Sequence, residues 1–233
     1  MPSDTRNLVT ELVGTLVVML AGPGVLVLSD GRVTDLGAAV AFGAGLALAI
    51  GVIGAVANPA FTLALLLVRE ISPRNAVSDW IGQLAGGVLG AAIIWAINDQ
   101  TRVAVGSNGW DRGGYRELGS VIAAELVFSV IIVVVLLSTI SQGYSTAAIA
   151  SFTATAYALG HLVLIGLDGG GLNPARSIGS AIFSDADPSP LGQLWVFVVV
   201  PLVGAGAAVF VWLLIDDAEI DDTLFDDTLI DRD

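Results

Sequence analysis

The chain has 233 residues, of which 55% are hydrophobic and 13% are charged, and its formal net charge is −13. A soluble domain carries about 25% charged residues, so this composition argues against a water-soluble globular enzyme and excludes a disordered chain. The chain has no cysteine and one histidine, which excludes a disulfide framework, a thiolate metal site and a cysteine nucleophile.

Long stretches without a charged residue alternate with short polar segments. Because a membrane-spanning helix needs roughly 20 apolar residues to cross a hydrocarbon core of about 30 Å, these stretches predict membrane spans. Two of them, 36–68 and 126–160, are too long for one straight span and must contain a turn or an extra element. In chain order we predict six spanning helices, near 7–29, 36–56, 76–97, 118–139, 146–166 and 191–215.

Two short helices are predicted after the second and fifth spans, near 58–68 and 173–183. The polar segment 98–117 is typical of a solvent-exposed linker between two halves. Residues 216–233 form an acidic tail, which we expect to leave the membrane and to be disordered. The predicted fold class is therefore an all-α membrane protein.

The two halves of the chain repeat three short motifs in the same order. A Glu-Leu-Val tripeptide begins at Glu11 and again at Glu125, and a Gly-Gln-Leu tripeptide occupies 82–84 and again 192–194. Between them, Asn-Pro-Ala occurs as Asn58-Pro59-Ala60 and as Asn173-Pro174-Ala175. An ordered set of this kind indicates duplication. Since each half (about 7–97 and 118–215) holds an odd number of spans, the halves should be inverted repeats with a site near the membrane midplane.

Each Asn-Pro-Ala tripeptide predicts the start of a helix, because Asn is a good N-cap and Pro is favoured at the first helical position. The following segments of 11 residues would be roughly 16 Å long, about half the hydrocarbon core. We therefore expect two half-helices that enter from opposite faces and meet at their N-termini. Their positive dipole ends would oppose cations, including protons, and each Asn would offer an amide N–H to a permeating molecule.

With these motifs, and with Arg176 directly after the second one, the chain resembles the aquaporin (major intrinsic protein) family over residues ~7–215. The resemblance implies an aquaporin-like bundle of six transmembrane helices plus two half-helices in inverted repeats, as one channel domain over residues 1–215. It implies a passive water channel rather than an enzyme, with no cofactor and no metal. It further implies a homotetramer in the lipid of the cell membrane, with both termini in the cytoplasm.

The resemblance also implies a selectivity filter of four residues. Arg176 matches the filter arginine, and His161 on the fifth span matches the filter histidine of water channels. Gly170 matches the small third position. Phe42 is the candidate for the aromatic member, whereas a gapless alignment would bring residues near Ala38 to that place.

Two differences from glycerol facilitators, which the chain also resembles, favour water as the permeant. These facilitators typically carry Gly at the place of His161, and Asp at the place of Ser177. The resemblance gives Glu11 and Glu125 a supporting role, in which they accept hydrogen bonds from the loop backbone. The alternative is a proton carrier, since intramembrane acids are functional by default.

Other functions remain open at this point. Gly170 leaves room for a channel for small neutral solutes such as glycerol, ammonia or carbon dioxide, and a non-conducting membrane structural protein is a further alternative. Nucleic acid is not expected as a partner, because phosphate binding needs a basic surface and the chain has nine basic residues against 22 acidic ones. All nine are arginine, and this composition suggests a salt-adapted prokaryotic source.

Overall fold

The computed structural model describes residues 3–99, 106–111 and 114–216, and every regular element within these ranges is a helix. Six of these helices are long and apolar enough to cross a membrane. The helices are α1 (Ser3–Leu28), α2 (Asp35–Leu48), α3 (Pro59–Leu67), α4 (Pro73–Ile97), α5 (Leu118–Ser141), α6 (Thr146–Asp168), α7 (Pro174–Ile182) and α8 (Pro190–Ile215).

The six predicted spans and both half-helices are confirmed, with boundaries that differ by a few residues. The half-helices α3 and α7 have nine residues each rather than 11. The second span, predicted over 36–56, changes from an α-helix to a π-helical segment, Ala49–Ile53, which ends at Gly54 with a φ of 82°. The predicted tail, 216–233, lies outside the described residues except for Asp216, and so does part of the predicted linker 98–117.

The two half-helices begin where the predicted caps place them. Asn58 and Asn173 both have extended backbones and precede Pro at the first helical position. The Asn58 Oδ1 accepts a hydrogen bond from the Ala60 N–H at 3.0 Å. The Asn173 Oδ1 accepts from the N–H groups of Ala175 at 3.0 Å and Arg176 at 3.2 Å. The side chains therefore satisfy backbone donors that no helical carbonyl can reach.

Helix packing follows the internal repeat. Within each half the first and last spans pair, α1 with α4 and α5 with α8, while α2 and α6 pack together between the halves. Each half-helix crosses to the other half, because α3 packs against α8 and α7 packs against α4. This exchange brings the N-termini of α3 and α7 together at the centre of an inverted-repeat bundle.

Glycines allow α7 to lie directly against α4. A Cβ on Gly87 would lie 2.3 Å from the carbonyl oxygen of Ala175, and a Cβ on Gly179 would lie 2.3 Å from the carbonyl oxygen of Gly87. Both neighbours are backbone atoms, which cannot rotate away as a side chain can. Small residues thus set the position of α7, as they do in other membrane helix contacts.

We expect Gly87→Val to destabilise the protein by about 1–3 kcal/mol or more, because overpacking forces the backbone apart. The effect should be a clear fall in Tm of the detergent-solubilised protein. Gly206→Val is the matched control, since a Cβ on Gly206 would meet nothing within 4 Å. Equal Tm values for the two variants would contradict this account of the α4–α7 contact.

Candidate functional site

The side-chain amides of the two capping asparagines bind across the repeat boundary. Asn58 Nδ2 donates a hydrogen bond to the Leu172 carbonyl at 2.9 Å, and Asn173 Nδ2 donates to the Ala57 carbonyl at 2.7 Å. Each carbonyl belongs to the residue that precedes the other half's asparagine. An amide NH2 group carries two donors, so each asparagine retains a second N–H after binding its carbonyl.

Two buried carboxylates hold the backbone that leads into the half-helices. Glu11 accepts hydrogen bonds from the N–H groups of Val56 at 2.7 Å and Ala57 at 2.8 Å. Glu125 accepts from Gly171 at 3.0 Å and Leu172 at 2.8 Å. The structure thus brings both predicted carboxylates to equivalent places, where each binds two successive N–H groups of non-helical backbone.

The residue before each asparagine has a left-handed backbone. Ala57 has a φ of 54° and Leu172 has a φ of 61°, a region that residues with a Cβ adopt only at a cost of order 1–3 kcal/mol. The N–H of each residue binds a glutamate, and its carbonyl accepts from the opposite asparagine. These hydrogen bonds on both sides of the peptide hold the strained conformation in place.

The two repeated glutamines, by contrast, have different contacts. Gln83 Nε2 lies 2.8 Å from Glu11 Oε2 and 2.8 Å from Thr62 Oγ1, so it supports the first carboxylate. Gln193 instead binds the backbone of Trp110, accepting from its N–H at 3.1 Å and donating to its carbonyl at 3.0 Å. Gln83 therefore links the Glu11 carboxylate to Thr62 on α3, and Gln193 holds the linker between the halves.

The four candidate filter residues lie close together. The rings of Phe42 and His161 are stacked, with centroids 3.8 Å apart and an interplanar angle of 21°. Gly170 adjoins this stack, since a Cβ there would lie 2.8 Å from the His161 Cδ2. The Arg176 guanidinium carbon lies 5.6 Å from the centroid of Phe42.

Two glycines on neighbouring segments leave room for the rings of Phe42 and His161. A Cβ on Gly22 of α1 would lie 2.2 Å from the Phe42 ring, so only glycine lets the ring lie against α1. Gly170 has a φ of 72° and does the same for His161. Gly170 therefore accommodates the imidazole; the space left by its missing side chain is occupied by the histidine ring.

The hydrogen bond made by His161 fixes which of its nitrogens accepts. His161 Nδ1 lies 2.9 Å from the Tyr157 carbonyl oxygen, which can only accept, so Nδ1 carries the proton. The neutral imidazole then has an acceptor at Nε2. The ring is fully buried in the protein.

The buried guanidinium of Arg176 is held by polar groups from three segments. Its Nη1 donates to Asn108 Oδ1 and to Ser180 Oγ, and its Nη2 donates to the Gly169 carbonyl at 2.9 Å. Among the described residues none pairs with its Nε. The arrangement places a fixed positive charge beside the aromatic pair and leaves two of the five guanidinium N–H donors, one on Nε and one on Nη2, for another molecule.

Sequence reasoning missed Asn108 and Tyr157. Asn108 is buried in the linker, where its Oδ1 also accepts from the Ser177 hydroxyl at 2.8 Å. The linker has no counterpart in the repeat, so no motif pointed to it. Tyr157 is fully buried beside His161, and its signal was available: it lies one helical turn before the histidine, on the same face of α6.

A model of the major intrinsic protein family matches residues 1–212. The chain belongs to the major intrinsic protein family. Members of this family are channels rather than enzymes, and the six apolar helices make the chain a multi-pass membrane protein of the same kind.

Curated relatives within the family include proteins named for water and for glycerol. The chain is 33% identical over 227 residues to Aquaporin Z of Brucella melitensis, covering 89% of this chain and 96% of the relative. It is 31% identical over 213 residues to glycerol uptake facilitator protein-like 6 of Lactiplantibacillus plantarum, covering 88% and 95% respectively.

A solved structure shares the fold. The X-ray structure of the aquaglyceroporin from Plasmodium falciparum superposes with a TM-score of 0.78 and covers 95% of this chain and 99% of its own, at 19% identity. At this identity the likeness concerns the fold alone. The permeant must therefore be argued from the residues of this chain.

Proposed function

We propose that this protein is a passive transmembrane channel for water that excludes protons, ions and glycerol. The observation that carries the proposal is the packing of His161 against Phe42, with the Arg176 guanidinium fixed beside them. A buried cation repels other cations, and the ring pair limits the width of the path. Pore diameter, lining hydrogen-bond groups and a fixed positive charge are the features that select permeants in channels of this type.

The asparagine pair supports proton exclusion. The N-termini of α3 and α7 converge there, and the partial positive charge at each N-terminus opposes cations. The second N–H of each asparagine amide is oriented by the hydrogen bonds of the first N–H and of Oδ1. A water molecule whose oxygen accepts hydrogen bonds from both asparagines cannot accept one from the neighbouring water. The row of hydrogen-bonded waters along which a proton could move is therefore interrupted.

A channel for glycerol, ammonia or carbon dioxide is the second candidate. The similarity to a protein named as a glycerol uptake facilitator-like protein favours it. The contact of His161 with Gly170 argues for water, because the imidazole occupies the space that glycine leaves. Both filter features, His161 and Arg176, and both asparagine caps argue against a non-conducting structural protein.

The proposal extends to assembly and location. We propose one channel domain over residues 1–215, assembled as a homotetramer in the cell membrane with cytoplasmic termini. The exposed faces of the helices carry large apolar side chains that lipid or a neighbouring subunit would cover, among them Leu36, Val40, Leu159 and Leu214. Chemical crosslinking and native mass spectrometry would test the tetramer.

Stopped-flow light scattering on proteoliposomes tests the permeant. Under a sucrose gradient we expect vesicles with the protein to shrink at least about tenfold faster than empty vesicles, as an open water pore requires. Under a glycerol gradient we expect slow re-swelling at the rate of empty vesicles. Fast glycerol entry would make the protein a glycerol channel, and shrinkage at the rate of empty vesicles would overturn the proposal.

A further inference from the structure

The internal repeat pairs Phe42 with a residue that the filter assignment does not include. Phe42 lies sixteen residues before Asn58, and Tyr157 lies sixteen residues before Asn173. The two aromatic residues thus occupy equivalent positions on α2 and α6, the helices that pack together between the halves. Their rings meet edge to face, with centroids 6.2 Å apart and an interplanar angle of 69°.

The ring of Tyr157 contacts the histidine of the candidate filter. Its centroid is 4.2 Å from that of His161, one helical turn along α6. Its hydroxyl is buried and has no hydrogen-bond partner among the described residues, so it can bind a water molecule. Tyr157 therefore places a free hydroxyl next to the candidate filter.

A third aromatic residue packs against Tyr157 from the other half. Phe61 follows the first Asn-Pro-Ala motif directly, at the position that Arg176 holds after the second. Its ring centroid is 6.4 Å from that of Tyr157, at an interplanar angle of 73°. The repeat thus places an aromatic ring on one side of the asparagine pair where the other side has a cation.

We propose that Tyr157 limits the water flux through this channel, forming with Phe61 and Phe42 a second constriction beside the asparagine pair. The inference rests on the proposed water channel. The three rings narrow this part of the path, and the unpaired Tyr157 hydroxyl provides its polar contact. Water can exchange hydrogen bonds with this hydroxyl, whereas a larger neutral solute must displace the rings.

Two substitutions separate the bulk of the ring from its hydroxyl. Tyr157→Val removes both and should raise the water permeability at least about threefold, because the path widens while the filter stays in place. Tyr157→Phe keeps the ring and should lower the water permeability about twofold, because one hydrogen-bond partner of the water file is lost. Glycerol should remain excluded in both variants, since His161 and Arg176 are unchanged.

The permeabilities are measured by stopped-flow light scattering on proteoliposomes with matched amounts of protein, quantified after gel filtration. Tyr144→Val is the control, because Tyr144 is 44% exposed in the α5–α6 connection. If Tyr157→Val misfolds, Tyr157→Phe still tests the hydroxyl, since it preserves the packing of the ring.

The outcomes distinguish this inference from the proposed function. Water flux that is equal in wild type, Tyr157→Val and Tyr157→Phe, and above that of empty vesicles, would overturn the inference and leave the water channel standing. Flux at the level of empty vesicles in wild type and in every variant would overturn both. A wild type that conducts slowly beside a fast Tyr157→Val variant would support the second constriction.

Discussion

Replacing His161 with glycine should convert the protein into a channel that also conducts glycerol. The imidazole is stacked on Phe42 and touches Gly170, so its removal opens space on both sides. Removing a whole side chain from a pocket changes the discrimination between a small and a larger solute at least about tenfold. We therefore expect the glycerol permeability to rise at least about tenfold. Water permeability should change much less, because Arg176 and the asparagine pair keep their hydrogen-bond donors.

The measurement is glycerol-driven re-swelling of proteoliposomes, with Leu162→Gly as the matched control. Leu162 is the next residue of α6 and is 43% exposed, so this variant carries the same glycine penalty in a helix without touching the candidate filter. Unchanged glycerol entry in His161→Gly would show that the histidine does not limit solute size. Equal entry in both glycine variants would attribute the effect to a loosened α6.

The fold could be predicted from the sequence because its determinants are local and repeated. Uncharged runs give the spans, and Asn followed by Pro gives each half-helix its cap and its first residue. The duplication then predicts the opposed entry of α3 and α7. Each half-helix is one residue shorter than predicted at both ends, because the asparagine is the N-cap and Val68 or Phe183 is the C-cap, and cap residues lie outside the helix.

Contacts made by unrepeated segments could not be predicted in the same way. Asn108 reaches Arg176 from the linker, and no periodicity or motif in the linker specifies that approach. Gln83 and Gln193 carry the same motif but bind different groups, because Glu11 is available to the first and the Trp110 backbone to the second. The repeat predicts where each glutamine lies along the chain, and its hydrogen-bond partner depends on the groups that neighbouring segments bring near it.

The placement of Phe42 shows how these two kinds of information combine. Its spacing to Asn58 equals that of Tyr157 to Asn173, which places it one turn deeper than a residue near Ala38 would be. The structure nevertheless stacks its ring on His161, since Gly22 leaves the space for it on α1. Phe42 thereby contacts both His161 and Tyr157, and the sequence alone could not show this double contact.

Replacing Glu125 with leucine should abolish most of the water permeability. The variant leaves the N–H groups of Gly171 and Leu172 buried without an acceptor, at a cost of about 1–3 kcal/mol each. The left-handed Leu172 would lose its anchor, and its carbonyl would no longer hold Asn58 in position. We expect a lower Tm and, in the protein that still inserts, a water permeability reduced at least about tenfold.

The variant Glu125→Gln distinguishes a carboxylate that supports the loop backbone from one that carries protons. Glutamine keeps the size and one acceptor oxygen, so a supporting residue should retain a substantial part of the water flux and of the Tm. A proton carrier would instead lose proton flux in Glu125→Gln while keeping water flux, which a pH-sensitive dye inside the vesicles would detect. Val127→Leu, at a position on α5 that is 51% exposed, controls for substitution in this helix.

Because Glu11 binds Gln83 in addition to two N–H groups, Glu11→Leu should lower the Tm and the water permeability at least as much as Glu125→Leu does.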